Sequence, residues 1–309
     1  MSGALEAIVA PRLAGLGWSV EDLFVRDAPG GLDQPGLCSA NRHCRLLKAQ
    51  DGWVALNLAR EEDRELVPVL CETDAEPWSA LARLAAELPA ARFRGRASEL
   101  QLPVAVLGEA APQDLPSYEL YHVPRKVVDL SALWAGPLCS GLFARAGAEV
   151  VRIESIGRPD PTPQTSPLLD ERINAGKTRL ALDLRKAEGR SALRRLIEGA
   201  DVFVSSARPA ALARLGLVPD EWPGLTWVAI TAHGFSGPGA DRVGFGDDCA
   251  VAGGLVHWER GEPRFQGDAL ADPLTGLEAA RAVLAGQRGL IDMAMARVAA
   301  AYAWRQRCL

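Results

Sequence analysis

Several signatures of small-site chemistry are missing from this chain, and each absence narrows its function. The six cysteines, Cys38, Cys44, Cys71, Cys139, Cys249 and Cys308, are scattered, with no C-x-x-C and no matched Cys/His pair, so neither a zinc site nor a disulfide framework is indicated. Most of them read as buried small apolar residues. There is no G-x-x-x-x-G-K-[ST] and no complete G-x-G-x-x-G, and Gly244-Phe245-Gly246 is too short to count, which weighs against ordinary ATP and NAD sites. With 34 Lys and Arg against 39 Asp and Glu, the formal charge of -5 supplies no overall basic field, so nucleic acid is not an expected partner and any anion must be held by local Arg and Lys. No uncharged run approaches a membrane span, and Met1 to Glu6 lack a basic or apolar leader pattern, so a cytoplasmic protein without membrane contact is expected.

What is present is a chain of 309 residues, 48% apolar, able to bury a sizeable core. Positions 5–23 carry apolar residues at helix-like intervals broken by Gly15 and Gly17, and 27–41 read as loop. Two extended runs, 44–49 and 53–58, flank Asp51-Gly52 and predict a hairpin. An amphipathic helix is expected over 78–88, closed by Pro89, and a short strand over 101–107. The acidic run Glu61, Glu62, Asp63 and Glu65 reads as a solvated helix face. Thereafter strands are expected over 126–130, 148–154, 178–184, 201–204 and 226–231. Helices over about 135–146 and 188–199 lie between them, with a Pro-rich loop at 157–167 and a short helix ending at Gly216. Such alternation predicts an α/β fold, a Rossmann-like and mainly parallel sheet with helices on both faces, plus a smaller α+β domain. The divisions expected are 1–113 for the small domain, 114–125 for a linker and 126–309 for the large domain.

In sheets of this kind ligands bind where loops leave the carboxyl ends of the strands, so the loops at 134–137, 155–167, 205–208 and 233–248 are the ones to watch. One further stretch stands out: Gly267-Asp268-Ala269-Leu270-Ala271-Asp272-Pro273-Leu274-Thr275-Gly276 places a lone carboxylate where a loop turns into a helix. Asp before Pro is a common helix start, with the Asp capping free N–H groups. By itself, capping is the plainer account of Asp272.

The order of motifs alters that balance. VVDLSALWAGPLCSGLFARAGAEVVRIE (127–154), NAGKTRLALDLRKAEGR (174–190), ADVFVSSARPAALARLGL (200–217), WVAITAHGFSGPGA (227–240) and GDALADPLTGLEAARAVLAG (267–286) together resemble the class III CoA-transferases, in that family's order. The resemblance implies that Asp272 is the nucleophile and that CoA contacts fall on Trp134 and Ala135, on Leu182, Asp183, Leu184 and Arg185, on Ser206, Ala207 and Arg208, on Arg214, and on the region of Phe245. The phosphates and adenine of CoA call for guanidinium forks and an apolar slot, for which Arg185, Lys186, Arg208 and Arg214 are the basic candidates. Ser206-Ala207 replaces the family's usual Asn-Phe. Phe245 stands where racemases carry a proton-shuttling His, which argues against racemisation by that route. The Gly-rich substrate loop that transferases carry farther along has no counterpart. Family members run large domain, linker, small domain and back; here the small-domain-like pieces at 51–56 and 102–106 come first, which implies a rearranged, compact member.

The resemblance implies transfer of CoA from an acyl-CoA to a small carboxylic acid through an aspartyl adduct, in a homodimer, with no metal. The oxyanions formed would need backbone N–H donors, from Gly253-Gly254 or from the start of the helix after Asp272. Two rivals are an acyl-CoA isomerase or racemase using Asp272 as a base, and a non-catalytic relative serving as scaffold or partner subunit. His233 and His257 are alternative acid/base groups, although a structural His is the commoner case. Asp247 and Asp248 read as a solvated loop pair able to shift one another, and Trp134 and Trp258 as possible pocket walls.

Overall fold

A computed structural model describes residues 3–115 and 119–309. Residues 116–118 of the expected linker lie outside the described residues, as do Met1 and Ser2. Three strands come first, β1 (Cys44–Lys48), β2 (Trp53–Asn57) and β3 (Val104–Val106), in one antiparallel sheet ordered β1-β2-β3. The expected hairpin forms, with Lys48 opposite Trp53 across the Asp51-Gly52 turn. One face of this sheet packs Val54 and Leu56 against Trp78, Leu81 and Ala85 of helix Pro77–Glu87 and against Phe93 and Ala97 of helix Ala90–Glu99. The first of these helices ends as expected before Pro89, with Leu88 extended, but the second helix was not foreseen. Pro89 takes the extended N-cap position of a new helix, where its missing N–H costs nothing. The acidic run also departs from its reading, because Asp63 is fully buried and accepts the Arg60 guanidinium.

The large sheet holds β4 (Lys126–Leu130), β5 (Glu149–Ser155), β6 (Thr178–Leu182), β7 (Val202–Ser205), β8 (Thr226–Thr231) and β11 (Leu290–Ala294). All pairings are parallel, in the order β11-β8-β7-β4-β5-β6. The Val-rich β4 and the wholly buried β7 and β8 suit strands covered on both faces. On one side helices Ala135–Arg145 and Ala271–Leu284 bury Leu138, Leu142, Leu274 and Leu277. On the other, helix Ala187–Glu198 sets Leu193 and Ile197 against Phe203 and Trp227, whose rings meet edge-on at 4.7 Å. The Pro-rich stretch 157–167 is more ordered than expected and leads through Thr162–Thr165 into helix Pro167–Asn174. Asp160 accounts for this: it takes the Arg152 guanidinium and accepts the Thr162 N–H at 2.9 Å.

The small sheet also packs against elements of the following part of the chain. The second face of the small sheet, with Cys44, Leu46, Trp53 and Ala55, packs on Val251, Val256 and Phe265. The last two come from the hairpin β9 (Val256–Glu259) and β10 (Glu262–Phe265). Helix Gly3–Val9 inserts Leu5 and Val9 into the large core. The sheet's strand order reverses between β4 and β7, so the loops after those strands border a crevice. Ala132 N–H donates to Ser206 Oγ at 3.0 Å across it.

Candidate active site

Asp272 sits in the first turn of helix Ala271–Leu284, but it does not cap that helix. Leu270 holds the cap position, and the turn before it is set by Ala269, which lies in the left-handed region at φ 45. The carboxylate is therefore free for other work. It is half-buried, and the Ala135 N–H at the start of helix Ala135–Arg145 is directed at it. Gly246 approaches from a third helix, Gly246–Ala252, so closely that a Cβ there would collide with Asp272 Oδ2 and with the Ala269 carbonyl. Gly276 serves the same convergence one turn later, since a Cβ there would stand 2.5 Å from the Ala135 carbonyl oxygen. Three helix starts thus meet around one carboxyl group. Burial pushes Asp272 up to about 7, opposed by Arg26 and the Ala135 N–H and reinforced by the neighbouring Asp247 and Asp268.

Asp247 and Asp248 are not a solvated loop pair. Both are buried in the first turn of helix Gly246–Ala252. Asp248 accepts the Phe245 N–H at 2.9 Å and the Asn57 amide at 3.3 Å, and burial raises it to about 8. Asp247 accepts the Ala269 N–H at 2.8 Å and the Asn41 amide at 2.6 Å, and burial beside Asp268 raises it to about 6. The same Asn41 amide donates to Asp268 at 2.9 Å. Arg26 closes the group with a two-pronged contact to Asp268, its Nη2 lying 2.8 Å from Oδ1, while its guanidinium carbon stands 5.5 Å above the Trp134 ring. Arg26 and Asn41 escaped the sequence reading because single residues in a loop carry no periodic or motif signal. The quoted stretch included Asp268 but gave it no role.

The residues expected to meet CoA lie on segments that follow β4, β6, β7 and β8. Trp134 is buried beneath Arg26, and Ala135 touches the nucleophile candidate. Leu182 and Asp183 are half-buried, Leu184 is buried, and Arg185 is exposed and folded back on Asp183 at 2.8 Å. Gly157, in the loop after β5, lies against Arg185, so the loops after β5 and β6 come together. Ser206 holds the β4 loop, and half-buried Ala207 packs on the sheet core. Arg208 donates to Gln101 and to the Asp241 carbonyl at 3.1 Å, which ties it to the small sheet. Arg214 is exposed in the last turn of helix Pro209–Arg214. Phe245 is half-buried, immediately before Gly246, with the Arg60 guanidinium carbon 5.8 Å from its ring.

Gly253 and Gly254 do not offer oxyanion donors, because their N–H groups close the end of helix Gly246–Ala252 on the Cys249 and Val251 carbonyls. His257 and Trp258 lie on the exposed part of β9, so neither walls the site. His233 is half-buried, held neutral by burial and by Arg242 and lowered to about 4. Among the described residues His233, Asp248 and Cys249 bring three possible metal-ligand atoms within 4.8 Å, but the Arg242 guanidinium also faces His233 and Cys249 and opposes a cation there.

Residues 125–301, more than half of the chain, match the family described as CoA-transferase family III. An acyl-CoA transferase of Fusarium pseudograminearum (strain CS3096) is 32% identical over 174 residues, covering 49% of this chain and 38% of its own. Human succinyl-CoA:glutarate CoA-transferase is 30% identical over 175 residues, covering 52% of this chain and 40% of its own. Among solved structures, the hypothetical protein Rv3272 from Mycobacterium tuberculosis superposes with a TM-score of 0.54 at 29% identity, over 62% of this chain and 59% of that one. A CAIB/BAIF family protein from Brucella suis gives 0.52 at 28% identity, over 60% and 55%. The chain matches about two fifths of the length of these curated relatives.

Proposed function

The chain belongs to CoA-transferase family III, and on that premise we propose that it moves CoA from an acyl-CoA thioester to a carboxylic acid, with Asp272 as covalent relay. An Asp272 oxygen attacks the thioester carbonyl and expels CoA thiolate, leaving an acyl-aspartyl anhydride. The thiolate attacks the aspartyl carbonyl, releasing the donor acid and forming an aspartyl-CoA thioester. The acceptor carboxylate then attacks that thioester, and the thiolate freed takes the acceptor acyl group from the new anhydride, restoring Asp272. A carboxylate is a weak nucleophile, so the sequence depends on holding the reactants together, where effective molarities of about 10⁵ M and above become available. The Ala135 N–H, already directed at the carboxylate, is the donor best placed for the oxyanion on the aspartyl carbon.

The observation that carries this reading is the position of Asp272. It is a partly open carboxyl group met by the Ala135 N–H, beside the crevice where the strand order reverses and where Ser206 holds the loop after β4. Leu182, Leu184 and Phe245 would supply apolar contact to CoA, and Arg185, with Arg208 and Arg214, cationic contact to its phosphates. Asp183 would orient Arg185. The relatives' names support acyl-CoA and small carboxylic acids as substrates, and family resemblance supports a homodimer; no helix among the described residues is long and apolar enough to cross a membrane. Intact-protein mass spectrometry after brief exposure to a panel of acyl-CoAs, with hydroxylamine trapping, tests the relay. An adduct present in the wild type and absent in Asp272→Ala supports it, and an adduct surviving that substitution refutes it.

A second reading has one observation in its favour. A carboxyl group held at about 7 is also suited to abstract an α-proton. Exchange of the α-hydrogen of bound acyl-CoA with solvent deuterium, without any adduct, would move the assignment to an isomerase.

A further inference from the structure

The carboxyl cluster around Asp272 is built by two parts of the chain that the family match separates. Asp247, Asp268 and Asp272 fall inside residues 125–301, whereas Arg26 and Asn41 precede that segment. We infer that Arg26 is a positioning residue for the relay, a guanidinium supplied by the N-terminal segment that keeps Asp272 in its reactive, anionic form. The inference rests on the reading of Asp272 as nucleophile and adds to it a role for residues the matched segment lacks.

The geometry is specific. Arg26 is largely buried, its side chain 20% exposed, and it is fixed on two sides: its fork grips Asp268, which is 7% exposed, and its plane lies against Trp134. Asn41 ties Asp268 to Asp247, so these two carboxyl groups and the guanidinium form one hydrogen-bonded unit beside Asp272. Several elements turn charged or polar groups towards Asp272. Arg26 comes from the loop after helix Val20–Phe24, Asp268 from the turn before its own helix, and Asp247 and Cys249 from helix Gly246–Ala252; the Ala135 N–H comes from the helix after β4. Arg26 brings a positive charge to this group, and it opposes burial and two carboxylates that favour the protonated acid. Asp268 has a double part, since it anchors Arg26 but adds negative charge next to Asp272.

This arrangement makes opposite predictions for two neighbouring residues. Arg26→Met removes the cation, so protonated Asp272 persists to higher pH and the acid limb of adduct formation moves alkaline by one unit or more. Asp268→Asn removes a negative charge while its amide oxygen still accepts one Arg26 N–H, so the limb moves in the acid direction. Arg26→Lys keeps the charge but loses the fork and the stacked plane, so the limb should move alkaline by less than in Arg26→Met. A merely structural role would lower the rates without separating the directions. The shift can be read independently of turnover from the carboxyl carbon of ¹³C-Asp-labelled protein by NMR, with Asp272→Asn to assign the signal and circular dichroism to confirm that each variant folds. Opposite displacement of that titration in Arg26→Met and Asp268→Asn supports the inference. Displacement of both in one direction, or of neither, overturns it; the relay itself fails only if no adduct depends on Asp272.

Discussion

The nucleophile candidate illustrates what a single residue reveals in sequence and what it conceals. Asp272 and Ala135 were legible because each sits in a motif whose order matched a known family, and the structure joins them through the Ala135 N–H. Arg26 lies 242 positions from Asp268, and no local pattern announces such a pair. The burial of Asp247 and Asp248 was equally hidden, since two adjacent acids in a loop-like stretch read as solvated until the helix they begin is seen. At this scale the account predicts that Gly246→Ala, by pushing Oδ2 of Asp272 aside, lowers the adduct-forming rate about 100-fold while leaving the circular dichroism spectrum unchanged. A loss below threefold would show that Asp272 tolerates displacement. The wild-type rate should also rise with pH through a midpoint of about 7, because the anion is the nucleophile. A flat profile between pH 5 and 9 would remove Asp272 from the chemistry.

Elements were legible wherever period and turn chemistry agreed. The parallel strands and the β1–β2 hairpin lie close to where alternation and Asp51-Gly52 placed them. Elements governed by tertiary contacts were not: helix Ala90–Glu99 follows directly on Pro89, and helix Pro167–Asn174 grows from a proline-rich stretch held by Asp160. Helices Ala135–Arg145 and Ala271–Leu284 approach closely because Gly276 has no side chain, and this closeness brings the Ala135 N–H to Asp272. Gly276→Ala should therefore cost about 1–3 kcal/mol in urea unfolding, the usual range for overpacking. Gly95→Ala is the contrast: a Cβ at that helical position meets nothing within 4 Å, and the change should stabilise by about 0.5–1 kcal/mol. Equal effects at the two sites would mean that the helix contact is looser than described.

At the scale of the whole molecule, the sequence suggested a small domain placed before a large one. The three-part division at 114–125 remains our proposal, set beside the observation that Leu5 and Val9 pack into the large core while 44–106 carries its own sheet and cluster. Folding also concentrates acids with raised affinity for protons: Asp247 at about 6, Asp272 at about 7 and Asp248 at about 8. An acid whose folded value lies above its unfolded value binds protons more tightly in the native state. Its stabilising effect is complete below the unfolded value and is lost as pH rises through the folded one. Thermal stability attributable to this cluster should therefore fall between about pH 4 and pH 8, and Asp248→Asn should flatten that decline in calorimetry. An unchanged slope would mean that Asp248 is already ionised in the native protein.

The central claim is that Asp272 itself exchanges an oxygen with substrate during CoA transfer. The most direct measurement takes an acyl-CoA that labels the protein, adds its own free acid carrying ¹⁸O in the carboxylate, and maps the peptide containing Asp272 after CoA exchange. The account predicts ¹⁸O in the Asp272 carboxyl group, one atom gained per transfer, because the bridging oxygen of the second anhydride stays with the aspartate. Exchange of label into the acyl-CoA with none at Asp272 would contradict it.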